Sequence, residues 1–134
     1  MTPTPLDTWH RIVVTQDPGG LAALLADDVV FHSPVMHTPQ RGKAIVKRTL
    51  EAALRAFFNP SFRVVRMLYG PADAMMEFET EIGGAIVNAV DIVRWDEAGR
   101  ITEFKVMVRP LKALGAVQQA MVAELGTGPA PDPA

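Results

Sequence analysis

Residues 87–95 read Val87-Asn88-Ala89-Val90-Asp91-Ile92-Val93-Arg94-Trp95, and their alternation decides the fold. Strand side chains point alternately to opposite faces, so Val87, Ala89, Asp91, Val93 and Trp95 share one face. A carboxylate therefore stands in an otherwise apolar row. Burial without a partner penalises the ionised form of an acid, so Asp91 needs either a structural partner, such as an arginine or backbone amides, or a place in a small-molecule site. Both readings stay open at this level.

Outward from this strand the period of two continues. Met76, Phe78, Thr80 and Ile82 alternate with Glu77, Glu79 and Glu81, and Gly83-Gly84 supplies a tight turn between the two runs, predicting a β-hairpin. Asp96-Glu97-Ala98-Gly99 is a second turn into a strand over Ile101–Arg109, and residues 62–69 form a further strand-like run. The first half has helical spacing instead. Thr4, Pro5 and Asp7 read as a cap, a first helical position and a first-turn acid, opening a helix with an apolar stripe of Leu6, Trp9 and Val13. Asp17-Pro18 repeats the device before a short helix carrying Leu21, Leu24 and Leu25. A short strand, Val29 to Ser33, is stopped by Pro34. After a loop to Gly42, apolar residues from Ile45 to Phe58 recur at helical spacing until Asn59-Pro60 ends this long helix. Pro110 opens a final helix with Leu111, Leu114, Val117, Met121 and Leu125 on one side. Helices followed by meandering strands predict an α+β fold, a single domain over residues 1–125 and a flexible Gly/Pro/Ala tail over 126–134.

The chain has 134 residues, a net charge of −2 and no cysteine. The Lys and Arg residues are scattered, which gives no electrostatic footprint for nucleic acid. Without cysteine there are no disulfides, thiolate nucleophiles or cysteine-ligated metals, in keeping with a reducing compartment. The N-terminus has neither a basic nor an apolar leader segment and no run approaches membrane-spanning length, so a cytoplasmic protein without a membrane partner is expected. Phosphate-binding glycine loops, Gly-x-Ser-x-Gly elbows, zinc signatures and dinucleotide fingerprints are all missing from the sequence. No cofactor or metal is implied.

Residues Leu24-Leu-Ala-Asp-Asp-Val-Val-Phe-His-Ser-Pro34, then Gly42, then Val90-Asp-Ile-Val-Arg-Trp-Asp-Glu-Ala-Gly-Arg-Ile101 resemble the nuclear transport factor 2-like (NTF2-like) superfamily, and within it the SnoaL-like polyketide cyclases and ketosteroid isomerases. The resemblance covers Trp9 to Arg109. It implies a cone-shaped α+β barrel, a curved antiparallel sheet wrapped around a long helix, with a hydrophobic cavity. In ketosteroid isomerases the acid matching Asp91 stays protonated and donates a hydrogen bond to the developing oxyanion. The isomerase base falls at Ser33, which has no useful basicity, and its tyrosine falls at Trp9, which donates one hydrogen bond but exchanges no proton. Steroid isomerisation by that route is not expected.

Two candidates remain for a base. His32 neighbours Ser33, so alternation sends it to the opposite face unless a bulge intervenes; His37 lies in the loop, able to reach over a cavity mouth or to sit in solvent. Parity puts Phe31, Ser33, Met76, Phe78, Val87, Ala89, Phe104, Val106 and Val108 on the face of Asp91, with Trp9, Leu50 and Leu54 closing from the helices. These are the candidate ligand-binding residues, the alternative for each being plain core packing. On the other face Glu77, Glu79 and Glu81 can meet Arg63, Arg94, Lys105 and Arg109 in a charge ladder. Members of the superfamily pair through the outside of the sheet, and Ile92 and Met107 among those charges suggest a buried patch, so a homodimer is expected. The functional expectation is a small hydrophobic ligand, with acid/base chemistry of isomerase, cyclase or dehydratase type at Asp91. The alternative is a non-catalytic binding or dimerisation module.

Overall fold

The computed structural model describes residues 2–125; the tail expected over 126–134 lies outside the described residues. Helix α1 (Pro5–Thr15) opens on a reciprocal cap, with the Thr4 side chain accepting from the Asp7 backbone and the Asp7 carboxylate accepting from the Thr4 backbone. It buries Leu6, Trp9, Ile12 and Val13. A short 3₁₀ turn leads to α2 (Leu21–Leu24), β1 (Leu25–His32), the two-residue β2 (Gln40–Arg41) and the long helix α3 (Lys43–Phe57). Four strands follow, β3 (Arg63–Tyr69), β4 (Asp73–Ile82), β5 (Ala85–Trp95) and β6 (Ile101–Arg109), and then α4 (Leu111–Leu125). Within the described residues no helix is long and apolar enough to cross a membrane.

The strands form one sheet in the order β2-β1-β6-β5-β4-β3. Between β4 and β5 the turn residues Gly83 and Gly84 have φ of 55° and 79°, the left-handed backbone that glycine adopts without penalty and that matches the twist of a two-residue hairpin. The predicted cone fold is present, with two differences from the expected sheet. It is mixed rather than antiparallel, because β1 runs parallel to β6, and it is unclosed, since β2 and β3 remain at its edges. Parallel neighbours need a long crossover, and here everything from α3 to β5 provides it. Strand β1 also starts earlier than its sequence suggests, at Leu25, where a helical continuation was expected. Its register shifts between Leu25 and Val30, so Asp27 and Asp28 are both exposed and period two is lost.

Register sets the inner wall. Met76, Asp91 and Val106 stand side by side across β4, β5 and β6, as do Ala74, Val93 and Phe104, with Phe31 of β1 beside Phe104. Helices α1, α3 and α4 cover this face, and the core runs continuously from Leu6 to Val117. The outer face carries the expected charges only in part. Arg63 pairs with Glu79 and Arg66 with Glu77 across β3 and β4, whereas Glu103 pairs with His32. Met107 stands exposed on this face of the single chain.

Leu25 is fully buried, beside Ile101 at the parallel junction, and lies outside the cavity described below. Leu25→Ala should lower unfolding stability by about 2–5 kcal/mol, read as a lower urea midpoint with unchanged slope, while Val65→Ala on the exposed side of β3 should change it by less than about 0.5 kcal/mol.

Candidate functional site

Between the helices and the concave face of the sheet lies a cavity of about 420 Å³, within the span of roughly 300–1,000 Å³ usual for small-molecule sites. Its buried end is formed by Trp9, Leu50, Phe57, Phe78, Asp91 and Phe104, and exposed residues that also line it, among them Arg41, Ile45, Arg48 and Gln118, mark its mouth.

Asp91 is 2% exposed. Its Oδ2 accepts the indole Nε1–H of Trp9 at 3.0 Å. Trp9 is itself locked edge-on between the rings of Phe104, 5.3 Å away, and Phe58, 5.9 Å away. Among the described residues Oδ2 has this one partner, and no side-chain oxygen is both fully buried and unpartnered, so Oδ1 opens on the cavity that Asp91 lines. Burial pushes the carboxyl up to about 7 from an ordinary 3.8, and the hydrogen bond from Trp9 opposes that rise. Indole can only donate. Below neutral pH the proton therefore belongs on Oδ1, aimed at whatever fills the cavity. The acid can offer a hydrogen bond or a proton to an oxygen placed there.

The remaining expected site residues divide between the wall and its surroundings. Phe31, Ser33, Leu50, Phe78, Phe104 and Val106 line the cavity together with Trp9 and Asp91. Leu54, Met76 and Val87 are buried core beside it, and Ala89 and Val108 border a separate hollow on the sheet. Neither histidine lies in the wall. The His32 ring is 3.2 Å from the Glu103 carboxylate on the outer face, as strict alternation requires, and His37 is exposed in the loop outside the cavity lining. The structure thus brings neither imidazole to Asp91. Ser33 Oγ accepts from the Val35 amide at 3.1 Å, which holds the loop at the mouth. Asp91 is the sole carboxylate among the described lining residues, and no imidazole joins it.

Other wall residues escaped sequence reading. Thr49, buried on α3, donates to Gln40 Oε1 at 2.6 Å and ties the helix to β2; its place between Val46 and Leu50 on the apolar stripe was the available signal. Helix α4 closes a whole side through Val117, Met121 and Leu125. Its apolar stripe is visible in the sequence, but what that stripe covers is not.

Comparison with known proteins gives a consistent picture. The model of the SnoaL-like domain matches residues 6–104, while no curated protein matches the chain. The chain is similar to the structure of a steroid delta-isomerase from Pseudomonas aeruginosa, with 34% identity, 90% of this chain and 88% of that chain covered, and a TM-score of 0.85. It is similar to an uncharacterised bacterial protein with a cystatin-like fold from Silicibacter pomeroyi, at 30% identity, 92% and 86% coverage and a TM-score of 0.83. A SnoaL-like polyketide cyclase structure from Shewanella putrefaciens, so described provisionally, shares the fold at 16% identity, 90% and 82% coverage and a TM-score of 0.61. The match over most of the chain, the cone fold and the acid-bearing cavity agree, and the chain belongs to the SnoaL-like domain family.

Proposed function

We propose that the cavity binds a small, mostly apolar carbonyl compound and that Asp91 serves as its acid, donating to the carbonyl oxygen in a proton transfer of isomerase, cyclase or dehydratase type. The observation that carries this reading is the Asp91 carboxyl held by Trp9 with its second oxygen open to a cavity whose buried end is lined by Leu50, Phe57, Phe78 and Phe104. A neutral acid in a dry site stabilises negative charge as it develops on oxygen, and its worth there exceeds its worth in water. A relative whose structure is that of a steroid delta-isomerase supports the reaction class. Ser33 and Trp9 at the positions of the isomerase base and tyrosine argue against the steroid route itself, so a water or a group of the substrate takes the carbon-bound proton. The second reading is a binding protein without catalysis, favoured by the lack of another titratable side chain among the described residues of the buried wall.

We also place the protein in the cytoplasm as a homodimer joined through the outer sheet face. A hollow of about 320 Å³ there is bordered by Leu68 and Met107, which are 56% and 52% exposed, and apolar surface around a concavity is typical of a contact between copies.

Three measurements test these readings. Incubation of cyclic and linear ketones with the protein in D₂O, followed by NMR, should show faster exchange of the protons next to the carbonyl. Asp91→Asn should remove that acceleration yet still bind the ketone, because its amide retains a donor; exchange unchanged by the substitution takes Asp91 out of the mechanism, and ketone binding with no acceleration in the wild type selects the binding protein. Stability should report the buried acid as well. The unfolded chain ionises Asp91 near 3.8 and the folded chain near 7, so the folded state holds the extra proton between these values. Unfolding free energy should then fall as pH rises through that window, by on the order of 4 kcal/mol, and level off above it. Subtracting the profile of Asp91→Asn isolates this component. For the dimer, Met107→Glu should halve the mass seen by light scattering while leaving the melting temperature of the fold nearly unchanged; a wild type already monomeric at micromolar concentration refutes the pairing.

A further inference from the structure

Helix α3 carries four basic side chains, and three of them meet a carboxylate. Lys43 is 3.3 Å from Asp27, Lys47 is 3.1 Å from Glu51 and Arg55 is 3.0 Å from Glu124. Arg48 pairs with none of the described residues, and it alone of the four lines the cavity. Arg41, at the end of β2, has the same two properties: it lines the mouth and is unpaired among the described residues. This is not a by-product of a basic chain, since the net charge is −2.

The cavity is thus polarised along its length. Two guanidiniums stand at the open end, the apolar residues follow, and the first carboxyl met inward is Asp91 at the buried end. Guanidinium is charged at every relevant pH and its planar fork matches a carboxylate with two parallel hydrogen bonds. Beside a low-dielectric wall such charges act more strongly than in open water. The Thr49–Gln40 hydrogen bond fixes α3 against β2 one residue from each arginine, so the two cations are held on either side of a rigid junction.

We infer that the cavity is built for an anionic amphiphile, a keto acid whose apolar body and carbonyl lie toward Asp91 while Arg41 and Arg48 hold its carboxylate at the mouth. This rests on the reading of the cavity as a ligand site and adds the substrate class. Arg41 and Arg48 are then specificity residues, and Asp91 is indifferent to the distant carboxylate.

The test uses an oxodecanoate, with its ketone next to the terminal methyl group, and its methyl ester, which has the same body and ketone without the charge. Calorimetric titration at about pH 6, where the probe acid is ionised, gives affinities for the wild type, Arg48→Gln, the Arg41→Gln/Arg48→Gln double variant and Asp91→Ala. The wild type should bind the acid about tenfold more tightly than the ester at low ionic strength, with the advantage shrinking as salt is added. The double variant should bind both alike, with the ester affinity unchanged, and Asp91→Ala should weaken both by a similar factor. Both arginines are exposed, so melting curves of their variants should match the wild type. Equal wild-type affinities that both fall in Asp91→Ala would overturn the inference and leave the ligand cavity standing. An acid preference that survives in the double variant overturns the role of the arginines, and failure of both probes to bind overturns both the cavity reading and the inference built on it.

Discussion

One hydrogen bond organises this molecule, the indole N–H of Trp9 meeting Asp91 Oδ2 across the top of the core. An ionised acid in that place would lack the several donors that normally offset its desolvation, and a single neutral donor compensates only a fraction. The carboxyl responds by keeping its proton to about neutral pH. Everything that frames the pair serves to keep it dry and fixed. The rings of Phe104 and Phe58 clamp the indole, while Met76 and Val106 flank the acid on neighbouring strands. The reciprocal cap at Thr4 and Asp7 sets where α1 begins, and hence where Trp9 points.

The shape of the fold follows from the need to accommodate that arrangement without filling it. A flat sheet packed on α3 would leave no room, whereas register shifts in β1, β3 and β6 bend the surface away from the helix. Helix α4 then closes one side. The result separates two environments within a short distance, an apolar end that governs proton affinity and a mouth where charged side chains meet solvent.

Much of this was legible in the sequence because β4, β5 and β6 each bury one face only, so parity alone assigned Phe78, Asp91, Phe104 and Val106 to the interior. Parity also gave His32 its outward direction. It could not separate wall from solid core: Met76 and Val87 obey the same alternation as Phe78, and only packing in three dimensions decides which side chain borders empty space. The start of β1 was hidden for a different reason. Leu21, Leu24 and Leu25 mimic a helical stripe, and the bulged Ala26-Asp27-Asp28 segment breaks the strand period. Arg41 and Arg48 carried no signal, since a basic residue at a cavity rim has the same sequence neighbours as one in open solvent.

The parallel pairing of β1 with β6 has a consequence for how the protein is made. Strand β1 has only the two residues of β2 on its other edge, so a chain emerging from the ribosome holds it without its main neighbour until Ile101–Arg109 has been synthesised. Phe31 and Phe104, adjacent in the finished wall, come together only after that wait. Closing so large a loop is entropically slow. The cavity is therefore absent from every partial chain that stops short of β6, and its wall is completed only when that strand joins β1 and β5.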